Sequence, residues 1–291
     1  MISLSFLGKT QYCDSLVPTF SVDLSSNPNA SWVSPLVSRN GNCCGTSNPD
    51  KCLEFVITLN PSAIAVSFNI ASGAVPPGAL FYQIDCGPVT PVGSPICLNG
   101  PGPFTLTFCK PGNNSNTFSI TSYSEPIIGP DITVNSGCSG DIHAQYYNEP
   151  SMTWTSIFPG ATGAYDYLLG CTSGCDTTSF TANGNLPAYI DYLVCGTDIA
   201  SCNPLPYCDT IRVTINPPHT VTIDPDSAHL CFGAAPIPLN TTVTGGAGPF
   251  TYLWSTGEIT PSINAGAGVF IVEVFDVTGC MIATDTSVIT Q

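Results

Sequence analysis

The chain has 291 residues, a formal net charge of −15 and only 9% charged residues against 43% hydrophobic ones. Its basic residues are Lys9, Arg39, Lys51, Lys110 and Arg212, too few for the cationic stripe that displaces counterions from nucleic acid, and the same acidity disfavours anionic membrane surfaces. The apolar fraction excludes a disordered acidic polymer, and no apolar run reaches the length of a membrane span, so direct membrane insertion is not expected.

Residues 1–10, MISLSFLGKT, read as the remnant of a secretion signal, with an ordinary first strand as the alternative. Residues 11–124 then carry candidate strands at 19–24, 53–59, 65–70, 80–85, 104–108 and 117–121, punctuated by Pro-Gly pairs at 77–78, 101–102 and 111–112. This predicts a cysteine-rich sandwich or jelly roll. Proline-marked joints follow at 124–130 and 216–218, and proline cannot donate to a sheet ladder.

Residues 130–216 and 219–291 repeat one plan. Cys138 and Cys231 each open a strand, Trp154 parallels Trp254, the run 189–194 parallels 270–275, and Cys208 parallels Cys280. Short strands with turns every 8–12 residues around a core tryptophan predict immunoglobulin-like sandwiches for both. The fold expected is all-β: three tandem disulfide-stapled sandwiches. In the run from Phe270 to Asp276, alternation turns Phe270, Val272 and Val274 inward and Ile271, Glu273 and Phe275 outward. Ile271 and Phe275 mark either a face packed on a neighbour or a solvated face with stray apolar groups.

Fifteen cysteines without tandem C-x2-C pairs point to disulfides, and hence an oxidising compartment, rather than to zinc. The parallel between the two segments predicts Cys231–Cys280 and Cys138–Cys208. That leaves Cys171–Cys175 and Cys195–Cys202 as local closures, and Cys86–Cys97 as a hairpin staple. Cys52 would take Cys43 or Cys44; those neighbours should have different partners, with Cys13 and Cys109 as candidates, because a bond between adjacent cysteines is strained. One cysteine of the first segment is left over, as a free buried thiol or a bond to another chain.

Residues suited to catalysis are sparse. His143, His219 and His229 are widely spaced and read as structural or solvated, and no H-E-x-x-H or G-x-S-x-G occurs. Glu54, an acid in an apolar strand, is expected to face solvent. Asp224-Pro225-Asp226 offers two carboxylates, too few to specify calcium, and reads first as a turn; no other cofactor is implied. Tyr146, Tyr147, Tyr165 and Tyr167 could stack on sugars or pack on sheets. Asn29, Asn113 and Asn240 head N-x-S/T sequons.

The stretch GPFTYLWSTG (248–257), followed by VFIVEVFDVTGC (269–280), resembles the SprB-type and PKD-like repeats of secreted Bacteroidota surface proteins such as gliding adhesins. Residues 171–175 and 40–50 resemble N-terminal domains of the same proteins. The resemblance covers 219–291 and implies secretion by the type IX route to the cell surface. It implies no catalytic residues, and O-glycosylation of Asp-Ser/Thr motifs at Ser15, Thr177, Thr210 and Ser227. Such proteins usually end in a sorting or gliding-associated domain. Here the sequence stops at Gln291 without one, which leaves a fragment or an assembling subunit as readings. Three functions remain: a non-enzymatic adhesive or structural module, a self-assembling filament subunit, and a carbohydrate-binding or hydrolytic protein. The partners expected are other copies, other surface proteins or glycans.

Overall fold

The computed structural model describes residues 12–46, 49–73, 78–98, 100–246 and 248–291. The leader-like segment 1–10, Pro77 of one expected turn and Ala247 of another lie outside these. The chain forms two compact units: residues 1–126 with 197–205, and residues 127–196 with 206–291.

Among the described residues unit 1 is a sandwich of ten strands: β1 (Thr19–Leu24), β2 (Ser31–Val33), β3 (Val37–Ser38), β4 (Asp50–Leu59), β5 (Ala63–Gly73), β6 (Phe81–Ile84), β7 (Thr90–Pro91), β8 (Ile96–Cys97), β9 (Phe104–Pro111) and β10 (Ser115–Ser124). One sheet runs β1-β4-β9-β6-β7 and the other β2-β10-β5-β8, with β3 also on β10. The period-2 alternation of β4 and β10 sends one set of side chains inward. Phe55 and Phe108 from the first sheet meet Phe68 and Phe118 from the second with ring centroids 5.4–5.8 Å apart. Tyr82 joins them and donates its hydroxyl to Ser94 O; burial pushes that phenol up to about 12. Glu54 is half-buried at the β1–β4 seam, where its carboxylate accepts a hydrogen bond from Thr19 Oγ1 at 2.9 Å. It shares the outward face of β4 with Val56 and Thr58, in keeping with the solvent-facing acid expected from the sequence.

Unit 2 holds two sandwiches of one topology. The first comprises β11 (Ile127–Ile128), β12 (Ile132–Asn135), β13 (Ser139–Gln145), β14 (Thr153–Phe158), β15 (Thr177–Thr181), β16 (Tyr189–Gly196) and β17 (Tyr207–Asn216). The second comprises β18 (Thr220–Asp224), β19 (Ser227–His229), β20 (Ile237–Thr244), β21 (Thr251–Trp254), β22 (Ser262–Ala265), β23 (Gly268–Phe275) and β24 (Met281–Thr290). Three-stranded sheets β11-β13-β15 and β18-β20-β22 face four-stranded sheets β12-β17-β16-β14 and β19-β24-β23-β21. In each, the first strand switches sheets. It pairs antiparallel with the second full strand, breaks at a proline, then runs parallel to the last strand. Pro130 and Pro225 sit at the breaks, where a missing N–H ends one ladder and frees the chain to begin the next.

Trp154 and Trp254 occupy matching strands, β14 and β21, and both are fully buried. Each indole N–H donates at 2.9 Å to a backbone carbonyl, Cys175 O and Thr260 O respectively, so neither core tryptophan buries an unpaired donor. Val272 and Val274 face the core and Ile271 is 41% exposed, as the alternation predicts.

The disulfides depart from most of the expected pattern; Cys171–Cys175, and Cys13 as a candidate partner of Cys43, are the expected pairings met. Cys171–Cys175 forms as expected. Cys231 does not meet Cys280; it is free and exposed in the 230–236 loop, beyond the end of β19 and outside the core that Trp254 fills. Cys280 lies in the turn between β23 and β24 and bonds Cys138 instead. Cys208 stands directly opposite Cys195 in the β16–β17 register, so this pair staples two neighbouring strands and neither Cys138–Cys208 nor Cys195–Cys202 forms. Cys202 bonds Cys97 within unit 1, which displaces Cys86–Cys97. Cys86 bonds Cys44, Cys13 bonds Cys43, and Cys52 bonds Cys109, its partner in the β4–β9 register. Cys43 and Cys44 thus have different partners, as strain dictates. The unpaired cysteine belongs to the last segment, not the first.

Candidate functional site

A polar relay lies where the two sandwiches of unit 2 meet. The ends of β12 and β17 stand side by side, in register at Asn135 and Asn216. Asn216 Nδ2 donates to Asn135 Oδ1 at 2.8 Å, and Asn135 Nδ2 donates to Asp276 Oδ2 at 2.7 Å. Asp276 opens the turn Asp276-Val277-Thr278-Gly279-Cys280. Its other oxygen accepts from Thr278 N, Thr278 Oγ1 and Cys280 N at 2.8, 2.6 and 3.1 Å. Burial alone would push this carboxyl up; the donors from Thr278, Asn135 and Cys280 outweigh it and hold it below the ordinary value of 3.8.

The same turn then delivers Cys280 to Cys138, so a covalent bond and a side-chain relay clamp one junction. A shallow cleft of about 410 Å³ remains beside it, bordered by Asp141, Pro249 and Val277. Its amides and its buried carboxylate already satisfy one another, which leaves no activated acid, base or nucleophile there.

Behind the junction, His219 is buried, contrary to the solvated position expected for it. Its ring meets Phe250 edge-on with centroids 5.8 Å apart, and the turn at Gly245-Gly246 closes over it. Gly246 has φ +68°, and a Cβ there would collide with the His219 ring, so both conformation and space require glycine. His143 and His229 are exposed and lie 3.1 and 3.0 Å from the hydroxyls of Thr177 and Thr290. Among the described residues no histidine pairs with a carboxylate.

Asp224 and Asp226 are exposed, and among the described residues they belong to no group of three potential ligands. Among the described residues, three potential metal ligands come together only as Cys43-Cys52-Cys109 and Cys138-Asp276-Cys280, and every cysteine in these is disulfide-bonded. Tyr147 is buried, Tyr146 and Tyr165 are half-buried and Tyr167 is 72% exposed, so they form no common platform.

Ser15, Thr177, Thr210 and Ser227 are all exposed, as are Asn113 and Asn240. Asn29 differs: its Oδ1 accepts from Ser124 N at 2.8 Å and its Nδ2 is enclosed, so the folded chain presents no free amide at that sequon. Ile271 and the half-buried Phe275 share the outer face of the four-stranded sheet with Leu253, Val269 and Val288, which are 41%, 60% and 41% exposed. That strip was only partly legible, because Leu253 and Val288 join it through cross-strand register.

No family model matches the sequence, and no curated protein matches it. Among solved structures, the N-terminal four Ig domains of Dscam1 isoform 6.9 align at 11% identity over 94% of this chain and 97% of that one, with a TM-score of 0.25. Isoform 8.4 aligns at 12% identity over the same shares, with a TM-score of 0.25. Fibronectin(III)-like modules of Clostridium thermocellum CbhA align at 13% identity over 57% of this chain and 93% of theirs, with a TM-score of 0.28.

Proposed function

We propose that the chain is a non-catalytic structural module of a secreted cell-surface protein, of the SprB-type and PKD-like kind, whose sandwiches space and present an adhesive surface. The observation that carries this reading is the Cys138–Cys280 clamp. It spends a disulfide and a buried carboxylate on fixing one sandwich against the next, which suits a load-bearing or spacing element. Seven disulfides support the reading of an oxidising compartment. Among the described residues no helix is long and apolar enough to cross a membrane.

The reading includes type IX secretion, O-glycans at Ser15, Thr177, Thr210 and Ser227, and other surface proteins, glycans or further copies as partners. It includes no metal and no cofactor. Beads coated with the purified protein should adhere to cells or solid surfaces and turn over no ester, peptide or glycoside reporter. Turnover that survives repurification would overturn it.

A self-assembling subunit is the second reading, favoured by the outward apolar strip around Ile271. It expects regular polymers in electron micrographs of concentrated protein, and discrete monomers would sink it.

A further inference from the structure

The two sandwiches of unit 2 share one topology, so the pole of the first that receives its neighbour has a counterpart on the second. At the occupied pole, Asn135 ends β12, Asn216 ends β17, and the two side chains are bonded. Ser136 N donates to Asn216 O, and the loop 136–138 carries Cys138, which takes the turn cysteine of the next sandwich. At the counterpart, His229 ends β19 opposite Thr290 of β24, and their side chains lie 3.0 Å apart. Leu230 N donates to Thr290 O in the place of the Ser136 bond. The loop 230–236 that follows carries Cys231, exposed and unpaired, and beside it Phe232, which is 97% exposed. Cys138 lies three residues past Asn135 and Cys231 two past His229, in a longer loop.

A second pattern agrees. The turns or loops between the last two strands each carry a cysteine that bonds outside its own sandwich: Cys280 to Cys138, and Cys202, between β16 and β17, to Cys97 within unit 1. Cys231 is the one cysteine that no disulfide takes up.

We propose that the Cys231 pole is a docking site for another β-sandwich whose turn between its last two strands carries an Asp-x-x-Gly-Cys sequence. That turn seats on the pole as residues 276–280 seat on the preceding one, and its cysteine bonds Cys231. The incoming carboxylate meets His229 where Asp276 meets Asn135, and Phe232 is covered. A further copy of this chain does not qualify, because its Cys202 and Cys280 are already bonded. The bond forms by thiol–disulfide exchange with a disulfide-class oxidant. The turn cysteine is first held as a mixed disulfide with the oxidant. The Cys231 thiolate attacks its sulfur, the bond to the oxidant breaks, and the oxidant leaves as a dithiol. Overall two thiols lose two electrons and two protons, and one disulfide of the oxidant is reduced.

The test appends residues 218–291 after Gln291, with Cys231→Ser in the added copy, and refolds the tandem protein in a glutathione redox buffer. The added copy brings one turn cysteine. The proposal expects no titratable thiol and, in a non-reduced digest, Cys231 bonded to a Cys280 peptide alongside the retained Cys138–Cys280 pair. Two titratable thiols would overturn it, and so would a dimer joined through Cys231 to Cys231.

A second variant covers failure of the added copy to fold. In the single chain, Cys138→Ser together with Asn135→Ala removes both the bond and the relay contact that hold residues 276–280, while Cys231 stays in place. Head-to-tail oligomers linked by Cys231–Cys280 are expected. Monomers carrying two free thiols would count against the proposal.

Discussion

Replacing both Cys138 and Cys280 by serine removes the clamp without leaving a stray thiol. The bond closes a loop with a sequence separation of 142. In the chain-entropy description, cross-linking a loop of that size disfavours the unfolded ensemble by about 5 kcal/mol at 25 °C. The relay through Asn216, Asn135 and Asp276 survives the substitution and already holds the turn in place, so the loss should fall below that ceiling, at about 2–5 kcal/mol. With a urea dependence of about 2 kcal/mol per molar, unit 2 should unfold about 1–2.5 M earlier. Equilibrium urea unfolding, followed by tryptophan fluorescence from Trp154 and Trp254, reads this directly. Trp32 of unit 1 contributes a separate signal. A midpoint shift under about 0.3 M would mean that the clamp adds nothing beyond the relay, and the reasoning from loop closure would be wrong.

Three further outcomes follow from the same geometry. Trp254→Ala opens a cavity and leaves Thr260 O without its indole donor; it should cost about 3–5 kcal/mol, and limited proteolysis should then cut within 219–291 while unit 1 persists. Asp276 has a folded carboxyl held low, so its contribution is full above the ordinary value of 3.8 and is lost as pH falls through the lower folded value. Asp276→Ala should therefore destabilise the native protein by about 2–3 kcal/mol at pH 7, and the gap between variant and parent midpoints should close towards pH 2. Ile271→Asp sits on the outer face of β23 and should change stability by less than about 0.5 kcal/mol while moving concentrated protein towards monomer in sedimentation. Unchanged sedimentation would remove that face as a contact.

The strands were legible where alternation and core aromatics coincide. The runs at 19–24, 53–59 and 104–108, and the paired tryptophans, each lie within a strand of the structure. Alternation from Phe270 to Asp276 assigned faces correctly where Val272 and Val274 are buried between more exposed neighbours. The two-residue strand β11 and the switch at Pro130 were not legible, since so short a strand carries no period of its own.

The disulfides were least legible for a physical reason. Cys195 meets Cys208, and Cys52 meets Cys109, because register sets them opposite, and register depends on loop lengths that a single sequence does not display. The parallel between Cys138 and Cys231 was sound as a position but not as a pairing: both follow the strand that pairs parallel with the last one, but Cys138 is packed at the edge of its core and Cys231 is exposed. His219 was misjudged because its burial depends on Gly245 and Gly246 folding back across it, a contact made far from its own neighbours in the chain.

The measurement that tests the account most directly is a disulfide map of the purified chain, folded without a partner sandwich, by mass spectrometry of a digest made without reductant after free thiols are capped. The account predicts one capped cysteine, Cys231, and linked peptides joining Cys138 to Cys280, Cys97 to Cys202 and Cys195 to Cys208. A Cys231–Cys280 link, closing the last sandwich on itself, would contradict the clamp and the docking pole together.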